Sequence, residues 1–546
     1  MKEFPPGQKQ PSFLFRTNER VSKPLFQKTT VLVFFLLVLG FHGYRFWSIG
    51  TEGTDAIYYQ KMGIQWSQGV FELACPGKPH PFFLPALFSM SGIFYKLFGL
   101  HDFTFKLLNL SSIAGIFCLL LLIARQLGLI FPYSLIPVSV FLLLPNVIAQ
   151  SRIELAHVLS TFWVLLSFYL LNKFLKYRDK LSLVGSSAAL HAAMMTHSEL
   201  ALLAPGYIAV LFIEKILNRV PLKALLRETG IFSAVFFFPF LFYCWIWEPA
   251  QIIKAIQGVR SFALVVPEKH FPMLAIEFIA KGFPAHLGKP ISIVLYGSLP
   301  FFAWRIYKGK DSGRDAFVLL PVFSYLLLFE LLITRNRLEP LIRILIPLLP
   351  FLLFYLAGRI QSFCGHSSEW RKRAAFFFLI YAIYFNFKEL PVPPSLAFYS
   401  PRAAMPFYRY QTVYRHIYEK LKNRLAPGKK LLVAPSQFYK DYDAFNLPFY
   451  FNGKAVHLRD CTFSSRDFDT FLRKENVQFV FLGKERFFDD KWPQSGDLAA
   501  MPCLADSASY DAAVETNRLM EALKPLSPVV VYDEPHYGTV YEIHLS

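Results

Sequence analysis

Asp55 stands three and four residues ahead of a tyrosine pair, Tyr58-Tyr59, in the stretch Thr51–Gly99, TEGTDAIYYQKMGIQWSQGVFELACPGKPHPFFLPALFSMSGIFYKLFG. A carboxylate can take the proton of an attacking hydroxyl once the two are within hydrogen-bond reach. Taken alone, Asp55 reads more simply as a solvated acid or a helix N-cap. Its surroundings favour chemistry: the tyrosine pair, an amphipathic segment ending at Gly69, the element Lys78-Pro79-His80-Pro81, and a second amphipathic segment closing at Phe98-Gly99. Glu52 lies nearby but lacks the spacing to the tyrosines. Lys78 suits a phosphate as a point charge, its plain alternative being a lysine that snorkels to a membrane surface. Proline on both sides of His80 holds the backbone extended and aims both side chains.

Further ionisable residues lie at or inside apolar segments, where they are costly and tend to be functional. The run Ser151-Arg152-Ile153-Glu154-Leu155-Ala156-His157 sets Arg152, Glu154 and His157 together at a helix mouth. Arg343 begins the apolar run RILIPLLP and needs an anionic partner; a phosphate would meet it bidentately, and Glu339 is the structural alternative at i,i+4. Arg335 and Arg337 precede it as a basic rim. Thr196-His197-Ser198-Glu199 interrupts two apolar segments, so Glu199 either caps the second or lines a cavity. His270 and His286 read as ordinary loop histidines. His270 is kept as a weak candidate ligand for a divalent metal ion, although no ligand spacing supports one.

The elements that must hold these residues are membrane helices. Of the 546 residues 54% are hydrophobic and 17% aromatic, and the mean hydropathy is +0.36. Several apolar runs are long enough to cross a hydrocarbon core of ~30 Å. The expected spans are 29–47, 105–126, 129–149, 153–173, 182–197, 199–217, 229–249, 289–307, 315–333, 341–358 and 373–389. The run 29–47 is too long for a signal peptide and lacks a cleavage site. If 82–99 lies in the membrane interface instead of crossing, the basic residues sort to one side. That side holds the tail Lys2–Lys28 and the loops with Lys173–Lys180, Lys215–Arg227, Arg305–Arg314 and Arg359–Arg373. The positive-inside pattern then sets the N-terminus in the cytoplasm and about 11 spans in the bilayer.

Charge also excludes a nucleic-acid partner. The net charge is +19, but residues 391–546 carry 19 Lys/Arg against 18 Asp/Glu, so almost all of the excess flanks the apolar spans. Beyond Pro391-Val392-Pro393-Pro394 the polarity becomes ordinary, and short periodic segments predict a small extracytoplasmic α/β domain. Its expected helices are Arg409–Leu425, Asp467–Glu475 and Ala512–Leu523. Its expected strands are Lys430–Ala434, Val477–Leu482, Val529–Tyr532 and Val540–His544. The domain plan is thus a basic tail 1–28, a membrane domain 29–390 with the first outer loop 48–104, and the domain 391–546. Of six cysteines, Cys118 and Cys244 should pack as small hydrophobes, and Cys461 with Cys503 is a disulfide option outside the cytoplasm.

The pattern Asp55-x-x-Tyr58-Tyr59…Gly69…Lys78-Pro79-His80-Pro81…Phe98-Gly99, with Ser151-Arg152 after Pro145 and Arg343 before Pro347 and Pro350, resembles the GT-C membrane glycosyltransferases. The likeness is to the group of protein O-mannosyltransferases and lipid A aminoarabinose transferases, and covers roughly 29–360 in layout. Ala56 follows Asp55 where many members carry a second acid, and His80 replaces a commoner proline. The resemblance implies a polyprenyl-phosphate-linked monosaccharide as donor and inverting transfer at the outer membrane face. A lipid, glycan or protein would be the acceptor. It makes Asp55 the catalytic carboxylate and Lys78, Arg343 and Arg337 the donor-phosphate ligands. Tyr58, Tyr59, His80, Arg152, Glu154, Glu199 and His270 would line the substrate cavity. Two other classes compete. A transporter or flippase of lipid-linked sugar predicts inverted repeats and helices broken near mid-membrane, which the sequence does not display. A non-catalytic assembly protein leaves Asp55 and Arg343 without a purpose.

Overall fold

The computed structural model describes residues 24–44, 54–73, 84–101, 103–152, 156–217, 221–253, 276, 278–307, 313–332, 342–364, 369, 373, 376, 380, 384, 413–434, 451, 454–457, 468–483, 523–534 and 538–544. The chain divides into two compact units, one of Met1–Phe46 with Met62–Tyr408, the other of Trp47–Lys61 with Arg409–Ser546.

The first unit is helical. Four apolar segments among the described residues are long enough to cross a membrane: α4 (Thr104–Gln126), α7 (His157–Tyr177), α10 (Leu222–Ile246) and the run Ile344–Phe363. Their roles differ. In Ile344–Phe363 89% of the most apolar window is buried, so this segment is the centre of the bundle; in α10 the share is 11%. Phe237, Phe238, Leu241 and Trp245 of α10 are exposed and apolar, as suits a helix set against lipid. Further helices complete the bundle: α1 (Pro24–Gly43), α8 (Lys180–Thr196), α9 (Ala204–Leu217), α12 (Lys289–Tyr307) and α13 (Gly313–Leu332). The chain is an integral membrane protein. Segment 373–389 lies almost wholly outside the described residues.

One expected span proves to be bent, and two open with a 3₁₀ turn. Within 129–149 the chain forms α5 (Leu135–Leu142) and α6 (Pro145–Arg152), bent by 62°. Pro145 has no amide hydrogen to continue α5, but it is well placed to start a new helix. Segment 199–217 opens with a 3₁₀ turn, Ser198–Leu203, before α9. Segment 341–358 opens with another, Ile342–Leu348, before α14 (Leu349–Cys364); Pro347 falls within that turn. Helix α3 (Pro85–Phe98) has 14 residues, about 21 Å at 1.5 Å per residue, too short to cross alone.

Ion pairs, one half-buried and one buried, join helices of the bundle. Arg178, the C-cap of α7, pairs with Glu214 of α9, and Arg359 of α14 pairs with Asp315 at the start of α13. Gln361 grips the turn after α4 with both ends of its amide: Nε2 donates to the Gly128 carbonyl at 3.0 Å, and Oε1 accepts from Ile130 N–H at 2.8 Å. Cys118 faces outward from α4, contrary to the packed position expected of it, because the buried stripe of α4 runs through Ile113, Ile116, Phe117 and Leu120. Cys244 is half-buried. Cys461 and Cys503 lie outside the described residues.

The second unit holds a five-stranded mixed sheet among its described residues: β1 (Lys430–Ala434), β2 (Ala455–His457), β3 (Val477–Gly483), β4 (Val529–Glu534) and β5 (Gly538–Glu542), in the order β2-β1-β3-β5-β4. β1 runs parallel to β2 and β3, while β5 runs antiparallel to β3 and β4. Side chains alternate between the two faces with the period of two that a strand imposes. Leu431, Val433, Phe479 and Phe481 pack with Ile417 and Leu421 of α15 (Val413–Leu421). Leu432, Val480 and Leu482 pack with Phe468 and Leu472 of α16 (Phe468–Lys474). β1, β3 and β4 fall where the sequence placed them, β5 starts two residues earlier than expected, and β2 was not expected; Ala512–Leu523 lies outside the described residues except for Leu523, which is buried.

Candidate functional site

Asp55 falls in the first turn of α2 (Thr54–Ser67), and Arg343 in the 3₁₀ turn Ile342–Leu348. Tyr58 and Tyr59 follow in α2, both buried, their rings edge to face at 5.9 Å. The helix is seated on α3 through its second half. A Cβ on Gly63 would come within 2.4 Å of Ser91 Oγ, and one on Gly92 within 3.2 Å of Trp66 Cβ, so two glycines permit this close approach. Gly69, at φ +83°, ends the helix: its N–H bonds the Trp66 carbonyl at 3.1 Å and Val70 N–H bonds that of Gln65 at 3.0 Å, a left-handed C-cap. Trp66 then meets Phe71, Phe88 and Trp247 at ring distances of 5.2, 5.9 and 5.9 Å, while Trp247 Nε1 donates to the Phe71 carbonyl at 2.9 Å. These aromatics fasten the loop after α2 to the end of α10.

The short helix α6 is buried along nearly its whole length, polar side chains included. His42 of α1 is held between its Nε2, which donates to the Leu142 carbonyl at 2.8 Å, and its Nδ1, 2.6 Å from Ser151 Oγ. Arg152, with no exposed surface, donates to the Tyr44 carbonyl at 2.5 Å. Asn109 of α4 donates to the Gln150 carbonyl at 3.4 Å. Asn146 donates to His286 Nδ1 at 2.9 Å, tying α6 to α11 (Phe283–Leu287). His286 is therefore a buried structural tie and not the ordinary loop histidine expected. Gln150 is fully buried, and among the described residues neither atom of its carboxamide has a hydrogen-bond partner. Lys106, near the start of α4, is a second buried cation beside α6, since α4 packs on that helix.

A further polar group gathers at the break between α8 and α9. His197 Nδ1 lies 2.5 Å from Glu199 Oε2, and Ser198 Oγ donates to the same oxygen at 3.3 Å. His157, at the start of α7, sets its ring 4.8 Å from that of His197. Tyr325 of α13, a helix that packs on the turn carrying Glu199, is fully buried, and its hydroxyl has no hydrogen-bond partner among the described residues.

Of the residues singled out by sequence, the structure draws His157 to Glu199, while Arg152 turns to the end of α1. Lys78, His80, Glu154, His270 and Arg337 lie outside the described residues. No group of three His, Cys, Asp or Glu among the described residues is placed to hold a metal ion. Sequence reading passed over His42, Lys106, Asn146, Gln150 and Tyr325. Lys106, two residues inside an apolar helix, was open to the same argument as Arg343. Tyr325 is one of 27 tyrosines and carries no local signal.

The sequence matches no family model and no curated protein. Solved membrane proteins share its fold. ArnT from Cupriavidus metallidurans bound to undecaprenyl phosphate superposes with a TM-score of 0.55 at 12% identity, covering 95% of this chain and 98% of ArnT. The apo state of ArnT gives 0.54 at 13%, covering 95% and 99%. Looser matches are the oligosaccharyltransferase AglB from Archaeoglobus fulgidus, in complex with an inhibitory peptide and a dolichol-phosphate (0.44, 11%, covering 84% and 70%), and the arabinofuranosyltransferase AftD from mycobacteria (0.49, 14%, covering 97% and 40%). The chain is thus structurally similar to GT-C membrane glycosyltransferases, at low sequence identity.

Proposed function

We propose that this chain is an inverting glycosyltransferase that moves a monosaccharide from a polyprenyl-phosphate carrier to a lipid, glycan or protein acceptor. The observation that carries this reading is the end-to-end likeness of fold to ArnT, a protein solved with undecaprenyl phosphate bound. Asp55 at the start of α2 and the buried cations Arg152 and Lys106 agree with it. On this reading about 11 helices cross a bacterial inner membrane. The tail 1–28 is cytoplasmic, 29–390 is the catalytic membrane domain, and 391–546 is extracytoplasmic.

The donor enters sideways from the bilayer, and Lys78, Arg343 and Arg337 hold its phosphate. The acceptor oxygen attacks the anomeric carbon from the face opposite the phosphate, and its proton passes to the Asp55 carboxylate. The bond from the anomeric carbon to the phosphate oxygen breaks, and its electron pair leaves with polyprenyl phosphate. Cations around that phosphate stabilise the charge as it develops. Tyr58, Tyr59, His80, Arg152, Glu154, Glu199 and His270 shape the surrounding cavity; His270 is the residue to examine for any divalent ion.

Lipid mass spectrometry tests this on cells lacking the protein, complemented with wild type or Asp55→Asn. A polyprenyl-phosphate monosaccharide should accumulate in the null strain and with Asp55→Asn, and clear with wild type. Unchanged lipid-linked sugar pools, with the wild-type protein present in the membrane, would sink the proposal.

A further inference from the structure

We infer that the break between α8 and α9 forms a carbohydrate subsite, in which sugar hydroxyls donate to Glu199 and accept from Tyr325, beside His157 and His197. The inference rests on the transferase reading and adds to it the residues that sense the sugar.

The residues come from three parts of the bundle. Glu199, Ser198 and His197 sit on or beside the 3₁₀ turn Ser198–Leu203, His157 opens α7, and Tyr325 comes from α13, which packs on that turn. The plain alternative is a helix break capped by its own side chains. That accounts for His197, Ser198 and Glu199, which bond one another. It does not account for Tyr325, which sits on a separate helix with its hydroxyl buried and unbonded among the described residues. A phenylalanine would fill the same space without a desolvated polar atom, and such atoms are rare in native interiors.

The chemistry suits a neutral polyol. A carboxylate offers about four acceptor sites. His197 and Ser198 both bond Oε2, so acceptor capacity remains. Tyr325 supplies the complementary donor, and a ring hydroxyl donates and accepts at once. The Glu199 side chain is 23% exposed and that of His197 16%, so a ligand can reach the acidic side of the cluster. Two histidines and a glutamate also invite a cation, but among the described residues they are not placed as a ligand set.

The test uses full-length protein in nanodiscs, with Tyr325→Phe and Glu199→Gln. Tyr325→Phe keeps the stack on Phe329. Affinity is measured for undecaprenyl phosphate and for the undecaprenyl-phosphate sugar isolated from null cells. If the hydroxyls belong to the donor, preference for the sugar-bearing lipid should fall about threefold for Tyr325→Phe and about tenfold for Glu199→Gln, while affinity for the bare lipid holds. If they belong to the acceptor, both lipid affinities should hold, and the acceptor KM should rise by the same factors with kcat retained. Variants that change none of these, or weaken both lipids alike with a lowered Tm, overturn the subsite alone. Wild type that binds neither lipid overturns the transferase reading and the subsite with it.

Discussion

Gln361 and Gln150 are the same side chain in two parts of the bundle, used in opposite ways. Gln361 spends both ends of its amide on the turn after α4, in the region that the charge pattern assigns to the cytoplasmic face. Gln150, near the face assigned to the outside, is buried with neither end bonded among the described residues. Ionic groups follow the same division. Arg178 with Glu214 and Arg359 with Asp315 tie helix to helix toward the face that the charge pattern assigns to the cytoplasm. Toward the face assigned to the outside, His42 and Arg152 bond backbone carbonyls and His286 bonds an amide, with Lys106 also buried. Gln361 closes a turn, whereas Gln150 keeps polar capacity at a cost in stability, as groups at functional sites tend to; Asn172 of α7 is likewise buried with neither amide atom bonded among the described residues.

The largest test of that contrast is chemical. Asp55→Asn should lower transfer about 10²- to 10⁴-fold, the range of a general base, with Tm unchanged. An activity within twofold of wild type would remove Asp55 from the mechanism. Next in size, Arg359→Met should cost about 3–5 kcal/mol, since it strands Asp315 in the interior; adding Asp315→Leu should recover most of that loss in a thermal-shift assay. Third, Trp66→Ala should cost about 2 kcal/mol, discounted for a half-buried ring, and speed amide exchange over 62–73 while exchange in α14 stays slow. A smaller effect of opposite sign is expected at Gln150→Leu, a gain of about 1 kcal/mol from removing an unbonded amide. A loss of that size would show that the amide is bonded in the membrane.

The smallest effect belongs to the C-terminal sheet. Lys430, by hydrogen bond and by charge, holds the Glu475 carboxyl below its ordinary value. A depressed acid contributes stability above its unfolded pKa of 4.5 and loses it as pH falls through the lower folded value. The pair is partly exposed, so wild type should melt only slightly above Glu475→Gln near neutral pH, and the difference should shrink as pH falls below about 4.5.

Sequence made part of this arrangement legible. Long uninterrupted apolar runs gave α4 and α7 within a few residues, and alternation gave β1 and β3, because burial there imposes a single period. The breaks were harder. Pro145 inside an apolar run looks like a tolerated membrane proline until the 62° bend between α5 and α6 is seen. Glu199 was visible as an acid between apolar segments. Its neighbour Tyr325 lies 126 positions further on, amid residues of similar hydropathy, so only the packing of α13 reveals the pair. Gln150 was invisible for a related reason: whether a buried amide is bonded depends on three-dimensional neighbours, not on its own segment.

The order of strands in the C-terminal sheet carries a consequence for how the protein is made. β3 is the middle strand, with β1 on one side and β5 on the other. Its first neighbour is synthesised about 45 residues earlier and its second about 60 residues later. During synthesis β3 therefore waits half-paired, its apolar Phe479, Val480 and Phe481 beside an open edge, until the chain has grown past Glu542. Chains cut short before Gly538 would keep that edge. They should be cleared by quality-control proteases or aggregate even though every membrane helix is already in place.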